Sequence, residues 1–201
     1  MGKTKIVELF GGGFSNKGAE LMLEACRQEL DSWQQRWDLA MDWTVGSYGE
    51  RAQRGFLHVV DFRSLKALGH LPASYLPEKI KGRLGIVSQN EINAVLDISG
   101  FGYSDQWGPE YAKIMSKRSM ANHSKGECYY LLSQAYGPCE NPQVADVAKR
   151  YFDNAEVIYV RDKTSMVHMQ KLMGNDSRLK LSPDFTCLVA PSHNVRPTQQ
   201  K

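Results

Sequence analysis

The sequence predicts an α/β fold, a Rossmann-like open and mostly parallel sheet with helices on both faces. Three observations predict it. Short, nearly continuous apolar runs alternate with segments of helical periodicity along most of the 201 residues, as expected of strands covered on both faces. The first apolar run ends at Gly11-Gly12-Gly13, and Gly18 then opens an amphipathic stretch, which is the strand, glycine loop and helix of a βα unit. Hydrophobic content of 42% and charged content of 23% are those of a globular domain with a full core.

Each element has its own signal. Apolar runs predict strands at Lys5–Phe10, Leu39–Val45, Phe56–Phe62, Ala94–Ser99, Cys128–Gln134 and Glu156–Arg161, with a weaker one near Phe185–Val189. A helix over Lys17–Asp31 places Leu21, Met22, Ala25 and Leu30 on one side, and Pro109–Ala121 carries Tyr111, Ile114 and Met115 at helical spacing. Pro142–Phe152 begins with Asn141 as N-cap and Pro142 at the first helical position. Lys163–Met173 begins after Asp162 and stops at Gly174-Asn175. Within residues 63–92, Leu-Pro-Ala-Ser-Tyr-Leu-Pro reads as a loop, followed by a basic turn at Lys79–Arg83. The expected domain is 1–190, and the polar, proline-flanked 191–201 reads as a tail or a linker to a second domain.

Composition excludes several classes. Net charge is +3, from 25 basic and 22 acidic residues without a block of either sign, so neither nucleic acid nor a membrane surface is an expected partner. The four cysteines form no C-x-x-C pair, which argues against zinc and for a reduced compartment. The first residues lack the apolar core of a signal peptide, and no run approaches the ~18 apolar residues of a membrane span. A cytoplasmic location is therefore expected. The five histidines share no metal-ligand spacing, and no nucleophile–base pair can be read from the chain.

Ligands of open parallel sheets bind beyond the carboxyl ends of the strands. There this chain places Gly11–Gly18, Ser99–Gly108, Ser133–Pro138, Arg161–Ser165 and Ser182–Thr186, all rich in small, polar or aromatic residues, whereas the opposite end has plain turns. The glycine loop matches neither the dinucleotide fingerprint nor the P-loop, because Asn16 stands at the third glycine of the former and Asn16-Lys17-Gly18 replaces Gly-Lys-Ser/Thr in the latter. It is either a packing turn or an anion loop at a helix N-terminus. Arg161 suits a carboxylate or phosphate, or caps a helix with Asp162. Asn16, Asp105 and Gln106 suit hydroxyls. Trp107, Tyr103 and Tyr136 suit the apolar face of a sugar, or the core. Asp97 is read as the cap of the turn that follows it, ahead of a catalytic carboxylate, and Asp184 as a turn residue or a ligand.

Five segments carry a family resemblance: G-G-F-S-N-K-G-A-E-L-M-L, V-L-D-I-S-G-F-G-Y-S-D-Q-W-G, L-L-S-Q-A-Y-G-P, V-I-Y-V-R-D-K-T-S and S-P-D-F-T. In this order, over about residues 5–190, they resemble the polysaccharide pyruvyl transferase family. The resemblance implies transfer of the enolpyruvyl unit of phosphoenolpyruvate to two hydroxyls of a cell-surface or exopolysaccharide sugar, with release of phosphate. It implies the N-terminal half of a glycosyltransferase B-type fold, with the cleft between two Rossmann-like halves. It assigns donor binding to Arg161 and puts Asp105–Gly108 beside donor or acceptor. The substrate-binding candidates are Gly12, Gly13, Asn16, Lys17, Gly18, Gly100, Asp105, Gln106, Trp107, Gln134, Gly137, Arg161, Asp162, Ser165 and Asp184. No cofactor or metal is implied beyond phosphoenolpyruvate as donor, and the catalytic acid and base are unassigned. Family members are longer, so a half-cleft, weakly active or inactive alone, is expected, with a C-terminal half-domain or a second copy as partner. Lys17 departs from the acidic loop of many members, which leaves the acceptor open. The alternatives are a nucleotide-sugar glycosyltransferase-like enzyme and a non-catalytic half-domain that binds a partner chain.

Overall fold

Valine, isoleucine, leucine and alanine dominate eight short strands: β1 (Lys5–Phe10), β2 (Trp37–Asp42), β3 (Leu57–Val60), β4 (Ile86–Ser88), β5 (Ala94–Asp97), β6 (Cys128–Gln134), β7 (Val157–Val160) and β8 (Leu179–Leu181). In the computed structural model, which describes residues 4–34, 36–42, 44–60, 76–123 and 128–190 (117–123 by backbone alone), they form one sheet. Its order is β4-β3-β2-β1-β5-β6-β7-β8, and every pairing is parallel. The order reverses at β1, which pairs with β2 on one side and β5 on the other. In open α/β sheets, the carboxyl end of such a reversal point is where ligands bind.

The helices are α1 (Lys17–Ser32), α2 (Tyr48–Gln53), α3 (Glu78–Leu84), α4 (Gly108–His123), α5 (Pro142–Asp153) and α6 (Lys163–Met173). Three start as the sequence predicts. The side chains of Asn16, Asn141 and Asp162 accept from backbone N–H groups in the first turns of α1, α5 and α6. One core cluster gathers Val95, Tyr129, Leu131, Tyr151, Phe152 and Ile158, while Leu9, Leu23, Cys26, Met41 and Ile98 form another. Burial pushes the Cys26 thiol up to about 12, which leaves it a packing group rather than a nucleophile.

The structure differs from the sequence reading in four places. Phe185–Leu188 is a 3-10 turn, not a strand, because Asp184 caps it and Phe185 packs beside the Leu9–Leu23 cluster. The eighth strand is the shorter Leu179–Leu181 run before it. Lys79–Arg83 lies inside α3, where Lys81 is buried and paired with Glu91 at 2.9 Å and Glu78 at 2.7 Å, and β4 follows it. The α2 helix was unpredicted, although Ser47 and Glu50 form a full capping box. The expected strand over Phe56–Phe62 extends past Val60 into residues outside the described ones.

A buried Arg51 joins the end of β2 to β3. Its Nε donates to His58 Nδ1 at 2.8 Å, and its Nη1 donates to the carbonyls of Val45 at 2.5 Å and Gly46 at 3.0 Å. An imidazole nitrogen that accepts from a guanidinium carries no proton, and burial together with Arg51 lowers the His58 pKa. The unfolded chain binds a proton at this imidazole near pH ~6.5, whereas the folded chain does so only at lower pH. Stability therefore falls as pH drops below about 6.5. His58→Gln, which still accepts from Arg51 but does not titrate, is expected to flatten urea-unfolding stability between about pH 7 and 5. An unchanged slope contradicts this assignment.

Candidate functional site

Backbone hydrogen bonds continue past the strand ends and bind the carboxyl-end loops into one surface. Ile98 N donates to Phe10 O at 2.8 Å, Ala135 N to Gly100 O at 2.9 Å, and Gly137 N to Tyr103 O at 3.0 Å. Asp105 N donates to Pro138 O at 2.9 Å, Arg161 N to Gln134 O at 3.0 Å, and Ser182 N to Val160 O at 3.0 Å. The segments after β1, β5, β6, β7 and β8 thus follow one another along one edge of the sheet.

Below this edge lies a group whose depth the sequence did not reveal. Asp97, at the end of β5, is fully buried. Its Oδ1 accepts from Ser99 N at 2.8 Å and Ser99 Oγ at 2.5 Å, which confirms the expected turn cap. Its Oδ2 accepts from the hydroxyls of Tyr103 at 2.8 Å, Tyr129 at 3.3 Å and Tyr151. Burial raises the Asp97 pKa, and the donors oppose that rise. Tyr103 and Tyr136 are core residues stacked near Phe152, so neither offers a face to a sugar.

The glycines divide by role. Gly11 has φ 78° and sits so close to Ser99 that a Cβ would stand 2.7 Å from the Ser99 Cα, while a Cβ on Gly12 would meet Leu23 at 2.7 Å and Ile98 at 2.9 Å. These two are packing glycines. A Cβ on Gly13 would meet nothing within 4 Å. Among the described residues, the N–H groups of Gly13, Phe14 and Ser15 have no hydrogen-bond partner. The loop is therefore a tight turn up to Gly12 and an open row of donors after it. Gly100 turns the chain after Ser99 with φ 75°, and a Cβ on Gly137 would lie 2.4 Å from the Ser104 Cβ.

Several predicted site residues are already engaged. Asn16 Oδ1 accepts from Gly18 N at 2.8 Å and Ala19 N at 3.4 Å, so it caps α1. Lys17 is exposed and paired with Glu20 at 2.8 Å. The Asp105 carboxylate accepts from Glu140 N at 2.7 Å and Asn141 N at 3.2 Å, which ties the β5–α4 loop to the start of α5. Asp162 accepts from Ser165 N at 2.8 Å, which, with the other Ser165 bonds, lowers its pKa. Ser165 Oγ accepts from Tyr136 N at 3.0 Å. These side chains shape the loops.

Other candidates face outward or lie buried. Gln106 and Trp107 are exposed, with the indole Nε1 donating to Phe101 O at 2.9 Å. Gln134 is fully buried, with its amide beside the buried Tyr136 hydroxyl. Arg161 is half-buried at the end of β7 and gives one arm, Nη1, to Asp184 at 3.1 Å. Asp184 also accepts from Thr186 N at 3.0 Å and Thr186 Oγ1 at 2.8 Å, and its pKa is lowered: burial opposes the shift, and the Thr186 and Arg161 bonds outweigh it. The rest of the Arg161 guanidinium has no partner among the described residues, so the fork remains available to an anion.

No group of three His, Cys, Asp or Glu side chains that could hold a metal ion occurs among the described residues. No helix among them is long and apolar enough to cross a membrane. A groove of about 340 Å³ opens between α1 and the end of α2, lined by Phe14 of the glycine loop, Leu23, Phe56 and the paired charges Glu20 and Arg54.

The family model described as polysaccharide pyruvyl transferase matches residues 16–200, nearly the whole chain. No curated protein matches the sequence.

The two kinds of glycine are separable by substitution. Gly11→Ala is expected to lower stability by more than about 1 kcal/mol, since it combines positive φ with a backbone clash. Gly13→Ala is expected to stay within about 0.5 kcal/mol of wild type. Urea denaturation midpoints of the two variants check this; equal losses contradict it.

Proposed function

Because the chain belongs to the polysaccharide pyruvyl transferase family, we propose that the carboxyl edge of its sheet binds phosphoenolpyruvate at Arg161 and takes part in pyruvyl ketal formation on a saccharide. Arg161, with one arm fixed by Asp184 and the remaining donors open, is the observation that carries this reading. A guanidinium presents parallel N–H donors that fit a carboxylate or a phosphate. In the overall reaction one sugar hydroxyl adds to C2 of the donor, and a second displaces phosphate. One hydroxyl proton ends on C3, which becomes a methyl group, and the other ends on the phosphate. The centre passes through cationic character at C2, so the protein's part is to hold the donor's anionic groups, exclude water and position the hydroxyls.

Strand spacing divides the labour. β7 is the third strand from β1, in the order β1-β5-β6-β7. At about 4.8 Å per strand, Arg161 and the glycine loop stand roughly 14 Å apart at the sheet. Phosphoenolpyruvate is shorter than that, so Arg161 serves the donor, and the open N–H row of Gly13–Ser15 serves the far end of the donor–acceptor pair. Gln106 and Trp107 lie between, on the loop after β5. Asp184 is a positioning residue. The described residues supply one wall of the cleft, and a C-terminal half-domain or a partner chain supplies the other.

Calorimetry with phosphoenolpyruvate tests the assignment. Arg161→Ala is expected to weaken binding by at least about tenfold, the loss of hydrogen bonds to a charged group. Asp184→Asn keeps the Thr186 contacts and removes the charge; its loss should not exceed about fivefold, the scale of a half-exposed ion pair. Equal affinity in wild type and Arg161→Ala overturns the donor site, as does thermal stabilisation by a nucleoside diphosphate and none by phosphoenolpyruvate.

A further inference from the structure

Trp107 ends a 3-10 turn, Asp105–Trp107, just before α4, and its ring lies beside Tyr111 of α4, which shares a helix face with Ile114 three residues on. Trp107, Tyr111 and Ile114 are 45%, 38% and 66% exposed. The indole is pinned by its bond to Phe101 O at 2.9 Å. The Tyr111 ring lies 5.7 Å from it at 37°, and the Phe101 ring lies 6.4 Å away at 63°. Aromatic planes are thus held in place and left open to solvent beside the loop that the family reading puts in the cleft.

We propose that the Trp107–Tyr111 face is the platform on which a neutral hexose of the acceptor stacks. This deepens the preceding reading and rests on it for the saccharide. Aromatic faces receive the apolar C–H face of a pyranose ring. The nearby Glu110 and Lys113 pair with each other at 2.6 Å. Gln106, exposed beside the indole, carries an amide that both donates to and accepts from hydroxyls. The open apolar area of the three side chains is on the order of 300 Å², well short of the ~800 Å² that each partner of a stable protein interface contributes. The platform's strand, β5, is two places from β7 and Arg161.

Saturation-transfer NMR with methyl β-galactoside and methyl β-glucoside tests the platform on the 201-residue chain. Saturation concentrated on one face of the pyranose is expected in wild type. It should fall by about fivefold or more in Trp107→Ala and in Tyr111→Ala, and less in Trp107→Phe, which keeps a ring. Circular dichroism melting excludes unfolding as the cause, and Trp107→Phe carries the test if the alanine variants melt early. Sugar signals of equal strength in wild type, Trp107→Ala and Tyr111→Ala overturn the platform. So does a wild-type dimer that becomes a monomer on Ile114→Asp, which gives the face to a second copy. A parallel phosphoenolpyruvate titration of wild type separates the two claims. Sugar binding without donor binding supports the platform and sinks the pyruvyl reading, whereas donor binding without sugar binding does the reverse.

Discussion

The fully buried carboxylate of Asp97, surrounded by donors, is the interaction on which the geometry of the carboxyl edge depends. A lone carboxylate in a protein interior costs several kcal/mol of desolvation, and here no described cation offsets it. It is held instead by Ser99 N, Ser99 Oγ and three tyrosine hydroxyls. Those donors come from four places: the turn after β5, the loop beyond it, β6 and α5. One carboxylate thereby fixes the loop bearing Trp107 against the strand and helix behind it. The effect reaches β1 as well, because Ser99 packs directly against Gly11. Both sides of the point where strand order reverses are set by a group that itself touches no solvent.

From that anchor the edge builds outward in layers. Backbone hydrogen bonds join the loops to one another, and Asp105, Asp162, Ser165 and Asn16 use their side chains to hold them. What remains open is a short inventory: the N–H row after Gly12, Gln106 and Trp107 on the middle loop, and the unpaired donors of Arg161. Anion donors thus stand at the two ends of the edge, with an amide and an aromatic plane between. That suits an anionic donor and a hydroxylated acceptor held side by side.

Much of this was legible in the residues. Asn141-Pro142 and Asp162 marked helix starts, and the glycine run marked the first turn, because these signals are local and act through hydrogen bonds within a few residues. The edge at which these loops gather was legible too, since it follows from strand direction. What local pattern did not reveal is who meets whom. Asp97 read as a turn cap, and it is one, but Tyr129 and Tyr151 reach it from 32 and 54 residues away. Asp162 read as a helix cap and a ligand, and Asp184 as a turn residue or a ligand; each serves a neighbour as a cap. Phe185–Val189 read as a strand because its apolar run has no period to tell a strand from a buried turn. Its contact with α1 and the Asp184 cap decide the matter.

The central claim is that the anion donors at the carboxyl edge receive phosphoenolpyruvate. Backbone amide chemical-shift mapping locates the ligand without any substitution. The largest changes are expected at the amides after β6, β7 and β8, centred on Arg161, with smaller ones along Gly100–Trp107. Changes clustered around Leu23, Arg54 and Phe56, in the groove between α1 and α2, with none at Arg161, would contradict the claim.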